Sequence, residues 1–289
     1  MTTDPIVLFG TGRCGSTALH DVLSRHPRLA WLSRMNILFP GRPAVNRWFQ
    51  RAIDLPGIGP WLHDTVTPTE PYPFHDRLHA GISESCRDLL ASDISASEAK
   101  RVRAAWDANR TASRDRLLIK FTGWPRVGLV QRILPDARFV HIVRDGRAVA
   151  YSILRVPFWQ GWRGPEHWRY GALSPEDQAA WDASGQSFAV LAGIEWRILM
   201  DAAEAAKKLV PPERLIEIRY EDLCADPSGV VDDLLRFAGL ERTPAFERAF
   251  ERFDLTSRND AWRTALEPDD RDALTALLGP TLERYGYTP

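Results

Sequence analysis

The chain reads as an α/β protein: a single domain, residues 1–289, with a central, mostly parallel β-sheet flanked by helices. Three observations predict this. Residues 6–9 (Ile-Val-Leu-Phe) are a β-rich apolar run that stops at Gly10-Thr11-Gly12 and gives way to helical spacing. Residues 117–143 run strand, helix, strand, and residues 215–238 repeat strand then helix. Strands that alternate with helices need crossover connections, which place a parallel sheet between two helical layers.

Taken in order, the first strand is followed by a helix whose apolar face is Leu19, Val22 and Leu23, ended by His26-Pro27. Leu117, Leu118 and Ile119 form the next strand, residues 127–134 a helix, and residues 138–143 another strand after the turn Pro135-Asp136-Ala137. Residues 145–154 return to helical spacing through Ala148, Val149 and Ile153. Residues 215–218 are a fourth strand, followed by a helix over 227–238. Two long stretches interrupt this alternation, about 31–116 and about 155–187. The second is dense in Phe158, Trp159, Trp162, Trp168, Tyr170 and Trp181. Both carry aromatic residues that favour burial, so they read as insertions covering the carboxyl ends of the strands, where α/β sheets hold ligands. They are expected to form the wall or lid of that ligand site, although the rings of the second could equally fill a core beneath it.

Charge and cysteines narrow the function. The net charge of −1 gives no reason to expect binding to nucleic acid or to anionic membrane by charge alone. Cys14, Cys86 and Cys224 are an odd set with no short CxxC spacing, which disfavours a disulfide framework or a zinc knuckle and suits a reducing compartment. The N-terminus lacks a basic stretch followed by a long apolar run, so the expected location is cytoplasmic, with no transmembrane segment.

Phe9 to Thr17 (Phe-Gly-Thr-Gly-Arg-Cys-Gly-Ser-Thr) places glycines and hydroxyls between a strand and a helix N-terminus. Backbone N–H groups at such a turn converge on an anion, aided by the helix dipole. A Walker A loop would carry Lys after Gly15; Ser16 stands there instead, and Arg13 is the cation in the loop. The plainer alternative is a tight turn with Ser16 capping the helix. A second basic strand end follows: Arg144 lies just past residues 138–143, with Ser152 eight residues further on. Arg144 is placed to fork onto a phosphate; the alternative pairs it with Asp145 or Glu221 as scaffold.

Together these segments resemble the PAPS-dependent sulfotransferases (PAPS is 3′-phosphoadenosine 5′-phosphosulfate), and most closely their bacterial branch. Gly12-Arg13-Cys14-Gly15-Ser16-Thr17 is similar to that family's 5′-phosphosulfate loop, and Arg144 through Ser152 to its 3′-phosphate motif. Ile218-Arg219-Tyr220-Glu221-Asp222-Leu223 resembles the segment carrying an adenine-contacting tyrosine, and the stretch Ser257-Arg258 to Trp262-Arg263 the late basic segment over the 3′-phosphate.

The resemblance implies a P-loop-like fold and sulfuryl transfer from PAPS, releasing adenosine 3′,5′-bisphosphate (PAP), with no metal needed. It implies donor contacts from Gly12, Arg13, Cys14, Gly15, Ser16, Thr17, Arg144, Ser152, Tyr220 and Arg258. Arg13 would lie against the leaving phosphate, and Lys120, after the strand, would reach the sulfuryl oxygens; a snorkelling surface lysine is the alternative. The family's histidine two residues after that lysine is replaced by Thr122. The base then falls to Glu70, held between prolines in Pro68-Thr69-Glu70-Pro71, with His75 second and Asp64 third. His141, inside a strand, reads as a core histidine. The acceptor class stays open among small molecules, glycolipids and carbohydrates. Two competing readings are a P-loop kinase or NTPase and a non-catalytic nucleotide-binding protein on the same scaffold.

Overall fold

The computed structural model describes residues 3–288 except 56, 84, 85, 254 and 258. Five parallel strands form one sheet: β1 (Ile6–Gly10), β2 (Leu29–Trp31), β3 (Arg116–Thr122), β4 (Arg138–Val143) and β5 (Leu215–Arg219), in the order β2-β3-β1-β4-β5. All four pairings are parallel. The four strands expected from the pattern are present. Leu29–Trp31, too short to stand out by periodicity, adds an edge beside β3.

Alternation along the strands sorts the core into two layers. Val7, Phe9, Leu117, Ile119, Phe121 and Phe139 face one way, toward the helices Ala96–Asp107 and Val127–Ile133. Ile6, Leu8, Leu118, Val140 and Ile142 face the other, toward the helix Ser16–Ser24 and the helix Pro227–Ala238. Both faces are therefore apolar, as a covered parallel sheet requires. A third cluster joins the helix Phe188–Lys207, the helix Pro268–Arg284 and the buried rings of Trp159, Trp168 and Trp181.

Residues 31–116 do more structural work than an insertion over the strand ends. Phe74, Val102 and Trp106 are core residues of the first layer. The same stretch also returns to the strand ends, where Ser33 bridges to Pro68 in antiparallel fashion. Among the described residues no helix is long and apolar enough to cross a membrane.

Candidate active site

The cleft forms around the loop between β1 and the helix Ser16–Ser24. Gly12, Arg13 and Gly15 have φ of 79°, 53° and 89°, a run of left-handed conformations that turns successive N–H groups inward. Gly15, at the N-cap, admits no side chain: a Cβ there would lie 2.3 Å from Cδ2 of Tyr220. The helix has no side-chain cap and no acidic residue in its first turn, so Ser16 is not the cap. The first-turn N–H groups are left for another acceptor. The Cys14 side chain is buried in the core and burial pushes its thiol pKa up; its part in the loop is played by backbone.

Around this loop lie two cavities. The first, about 850 Å³, is lined by Gly15, Ser16, Thr17, Arg144, Ser152 and Tyr220, together with Arg13. Arg13 Nε donates to Ser152 Oγ at 3.0 Å, which ties the loop to the helix Gly146–Ile153. Arg144 donates to Arg13 O at 2.9 Å and to Asn259 Oδ1 at 3.0 Å, and its guanidinium lies 4.3 Å from the centroid of Tyr220. The carboxylates considered as its scaffold have other donors. Asp145 takes Arg147 at 2.9 Å, and Glu221 takes the Asp145 N–H, the Asn259 amide and the Tyr287 hydroxyl. Arg258 lies outside the described residues; its neighbour Asn259 reaches Arg144.

The second cavity, about 480 Å³, shares Arg13, Ser16 and Thr17 with the first. Its walls include Tyr72, Trp124, Phe158, Trp159, Trp168 and Tyr170, with carboxyl groups from Glu70 and Glu195. Trp159 and Trp168 thus belong both to a core cluster and to a cavity wall.

Beside this junction Glu70, in the wall of the second cavity, meets Lys120, which lines neither cavity but is bonded to Thr17 and Glu70. Lys120 lies within β3, which runs past residue 119 to Thr122. It shares the face of Leu118, so its Nζ reaches Thr17 Oγ1 at 2.9 Å and Glu70 Oε1 at 2.9 Å. Its side chain is only 5% exposed, so it is not a snorkelling surface lysine. Glu70 is also bonded by the Tyr72 hydroxyl, the Thr122 N–H and the Thr122 hydroxyl, at 2.8–3.1 Å. Burial beside Glu70 drives the Tyr72 pKa upward, so it remains a donor.

The other proposed bases lie elsewhere. His75 is 1% exposed among Phe74, Trp106 and Phe121, and neither ring nitrogen has a hydrogen-bond partner among the described residues. Desolvation lowers its pKa to about 3. Asp64 is paired with Arg25 at 3.0 Å and lines neither cavity. His141 stacks on Phe9 and bonds Glu217 at 2.9 Å, a core histidine.

Glu195 has no counterpart in the sequence reading. It is buried on the helix Phe188–Lys207, accepts a bond from Trp159 Nε1 at 2.6 Å and is bonded by Tyr170. Desolvation raises its pKa to about 7. The available signal was a single carboxylate in the otherwise apolar run 188–196.

An uncapped helix N-terminus after β1, an arginine at the end of the adjacent β4 and two joined cavities define an α/β protein with a phosphate-type loop. Residues 5–244 match the model of the sulfotransferase family, and the chain belongs to that family. It is 24% identical over 170 residues to the omega-hydroxy-beta-dihydromenaquinone-9 sulfotransferase of Mycobacterium tuberculosis, covering 56% of this chain and 38% of that one. It is 30% identical over 143 residues to carbohydrate sulfotransferase 5 of Mus musculus, covering 48% of this chain and 34% of that one. The aligned stretches thus span little more than a third of those relatives. Among solved structures, sulfotransferase STF9 from Mycobacterium avium superposes with a TM-score of 0.59 at 15% identity, covering 99% of this chain and 78% of that one. The sulfotransferase domain from the curacin biosynthetic pathway gives 0.52 at 16% identity, covering 100% and 99%. At such identities these two speak to the fold.

Proposed function

We propose that the chain transfers a sulfuryl group from PAPS to a hydroxyl, or an amine, of an acceptor held in the aromatic cavity. The observation that carries this reading is the junction at Arg13, Ser16 and Thr17, where the two cavities meet beside Lys120 and Glu70. In-line displacement needs donor and acceptor on opposite sides of one transferring group, and the junction supports that arrangement.

The larger cavity suits the donor. The loop N–H groups and Arg13 would take the 5′-phosphosulfate, and Arg144 with Ser152 the 3′-phosphate. Tyr220 would lie against the adenine, with Arg258 as a further contact to the 3′-phosphate. As the acceptor oxygen forms its bond to sulfur, the bond from sulfur to the bridging phosphate oxygen breaks and PAP leaves. Arg13 then stabilises charge on the leaving oxygen, Lys120 the charge on the peripheral oxygens, and Glu70 takes the acceptor proton. An arginine is suited to the first task because it stays charged and does not act as a proton donor. The reaction so written calls for no metal, and the three cysteines favour a reducing, cytoplasmic setting.

The printed names of two relatives refer to a menaquinone derivative and to carbohydrate. Aromatic walls with two carboxyl groups suit a small-molecule, glycolipid or carbohydrate hydroxyl of either kind.

Calorimetric titration with PAP, set beside ADP and ATP with magnesium, tests the reading. PAP is expected to bind, ADP to bind at least tenfold more weakly, and Arg144→Ala to lose most of the difference. A preference for ATP with magnesium would assign the loop to an NTPase. PAP binding without transfer to any hydroxyl or amine acceptor would support a non-catalytic protein.

A further inference from the structure

The helix Pro43–Ile53 turns Asn46, Gln50 and Ile53 inward. Asn46 donates to Trp31 O at 2.8 Å and to Asn109 Oδ1 at 3.0 Å, and Gln50 donates to Trp31 O at 2.6 Å. The opposite side carries Val45 and Trp48, and Leu55 follows the helix end. Trp48 is 67% exposed. The neighbouring helices Arg34–Leu38 and Gly59–Thr65 pack against this one and continue the apolar face. Ile37, Leu38 and Phe39 are exposed at one side, Ile58 and Trp61 at the other, with Trp61 66% exposed. An apolar face of this extent, centred on two tryptophans, is unusual for a surface that meets only water.

Its charge is equally one-sided. Residues 22–53 contain six arginines and no Asp or Glu. Arg34, Arg42 and Arg51 are exposed and Arg47 is half-buried, and none of the four has an ion pair among the described residues. The Arg51 guanidinium sits 5.5 Å from the Trp48 ring centroid. The carboxylates that follow, Asp54 and Asp64, are held by Arg114 and Arg25.

We propose that this face docks on an anionic lipid bilayer. Tryptophan and aliphatic side chains would enter the boundary between headgroups and acyl chains, while the arginines meet lipid phosphates. Charge complementarity selects this occupant over a second copy of the chain. Face-to-face self-association would set Arg42, Arg47 and Arg51 against their own counterparts, which opposes docking. The docking segment leads directly into Thr67 and Pro68 at the first cavity and Glu70 at the second. The face and the cleft are thus carried on one stretch of chain.

Co-sedimentation of the full chain with vesicles of phosphatidylcholine, with and without phosphatidylglycerol, tests it. The chain is expected to sediment with the phosphatidylglycerol vesicles and to be released by salt, because the arginine contribution is screened. The double variant Trp48→Ala/Trp61→Ala is expected to bind at least about tenfold more weakly. Arg42→Gln and Arg51→Gln are each expected to weaken binding about fivefold. All these positions are exposed, and an unchanged thermal unfolding midpoint confirms that each variant is folded. Absence of sedimentation at low salt, or equal sedimentation of wild type and the tryptophan variant, overturns the proposal. So does a dimer in light scattering that the tryptophan variant dissolves, which would assign the face to a second copy.

Discussion

Removing Lys120 or Glu70 tests the chemistry most directly, because one ion pair joins the proposed sulfuryl contact to the proposed base. Lys120→Met keeps the length of the side chain and removes the donor to Thr17 and Glu70. Leaving one member of a buried ion pair behind costs about 3–5 kcal/mol. Glu70 keeps bonds from Tyr72 and Thr122, so the loss of stability should fall near the lower end, about 3 kcal/mol. Turnover should fall further than stability alone explains, by about 10²–10³, the usual effect of removing one donor to transition-state charge. Glu70→Gln is nearly isosteric and still accepts from Tyr72 and Thr122, but it is no longer a base. It should lower kcat by about 10²–10⁴ while PAP binds as before, because Glu70 lines the acceptor cavity and not the donor cavity. Single-turnover transfer from labelled PAPS to a phenol surrogate, with PAP calorimetry and urea unfolding on the same samples, separates these effects. The double variant should lose less than the sum of the two, since the residues act as a pair. Glu70→Gln retaining kcat within about threefold would refute the assignment of the base. Strict additivity would refute the claim that the two side chains act together.

Three further outcomes are expected. Gly15→Ala sets a Cβ against the Tyr220 ring at a φ of 89°, and should cost at least 1–2 kcal/mol and weaken PAP binding, measured by unfolding and calorimetry; unchanged binding would mean that the loop is not the donor site. Glu195 is raised from 4.5 to about 7, so its neutral form is favoured by folding, and this stabilisation is present below pH 4.5 and lost as pH rises through 7. The difference of 2.5 pH units corresponds to about 3 kcal/mol, and Glu195→Gln should flatten that decline in urea unfolding across the range. His75 is lowered from 6.5 to about 3, so the opposite sign holds: its contribution is present above pH 6.5 and is lost as pH falls toward 3. Between pH 6.5 and 5 the loss is about 2 kcal/mol; His75→Leu should remove it from the acid limb while leaving PAP binding unchanged, and an unaltered acid limb would contradict the burial argument.

The fold was legible because its instructions are local. Strands such as residues 6–9 and 138–143 are continuous apolar runs, and each is followed by a turn and a helical stripe; a parallel sheet buried on both faces produces that pattern. β2 escaped because three residues carry no period. The helix Phe188–Lys207 escaped for a different reason: its first half, residues 189–196, is buried on every side, so the polar face that marks an amphipathic helix begins only at Arg197. Residues 31–116 were read as a cover because they interrupt the strand–helix alternation and carry aromatic residues that favour burial. Phe74 and Trp106 instead complete the core layer beneath β3, a pairing that depends on contacts distant in sequence.

The site divides along the same line. The anion-binding part of the donor side, residues 12–17 and 144–152, is written in two contiguous stretches, because a helix N-terminus and a strand end build an anion site from neighbouring residues. The acceptor side is assembled from at least four separated segments, and its polar groups are defined by partners that no spacing reveals. Glu70 and His75 are five residues apart and flanked alike by proline and aromatic residues. Glu70 turns to Lys120 and Thr122, while His75, on the helix Tyr72–Leu78, turns into the core. Glu195 makes the converse case. An isolated carboxylate in an apolar helix signals burial, and burial of a carboxyl group demands partners; those partners, Trp159 and Tyr170, come from the Trp-rich segment. The same contacts therefore fasten that segment to the core and set a neutralisable acid in the wall of the aromatic cavity. Glu195→Gln should keep the first role, since an amide still accepts from Trp159, and remove the second. A change in the pH dependence of KM for the acceptor without a change in PAP affinity is the expected result, and a loss of both together would mean that Glu195 serves the fold alone.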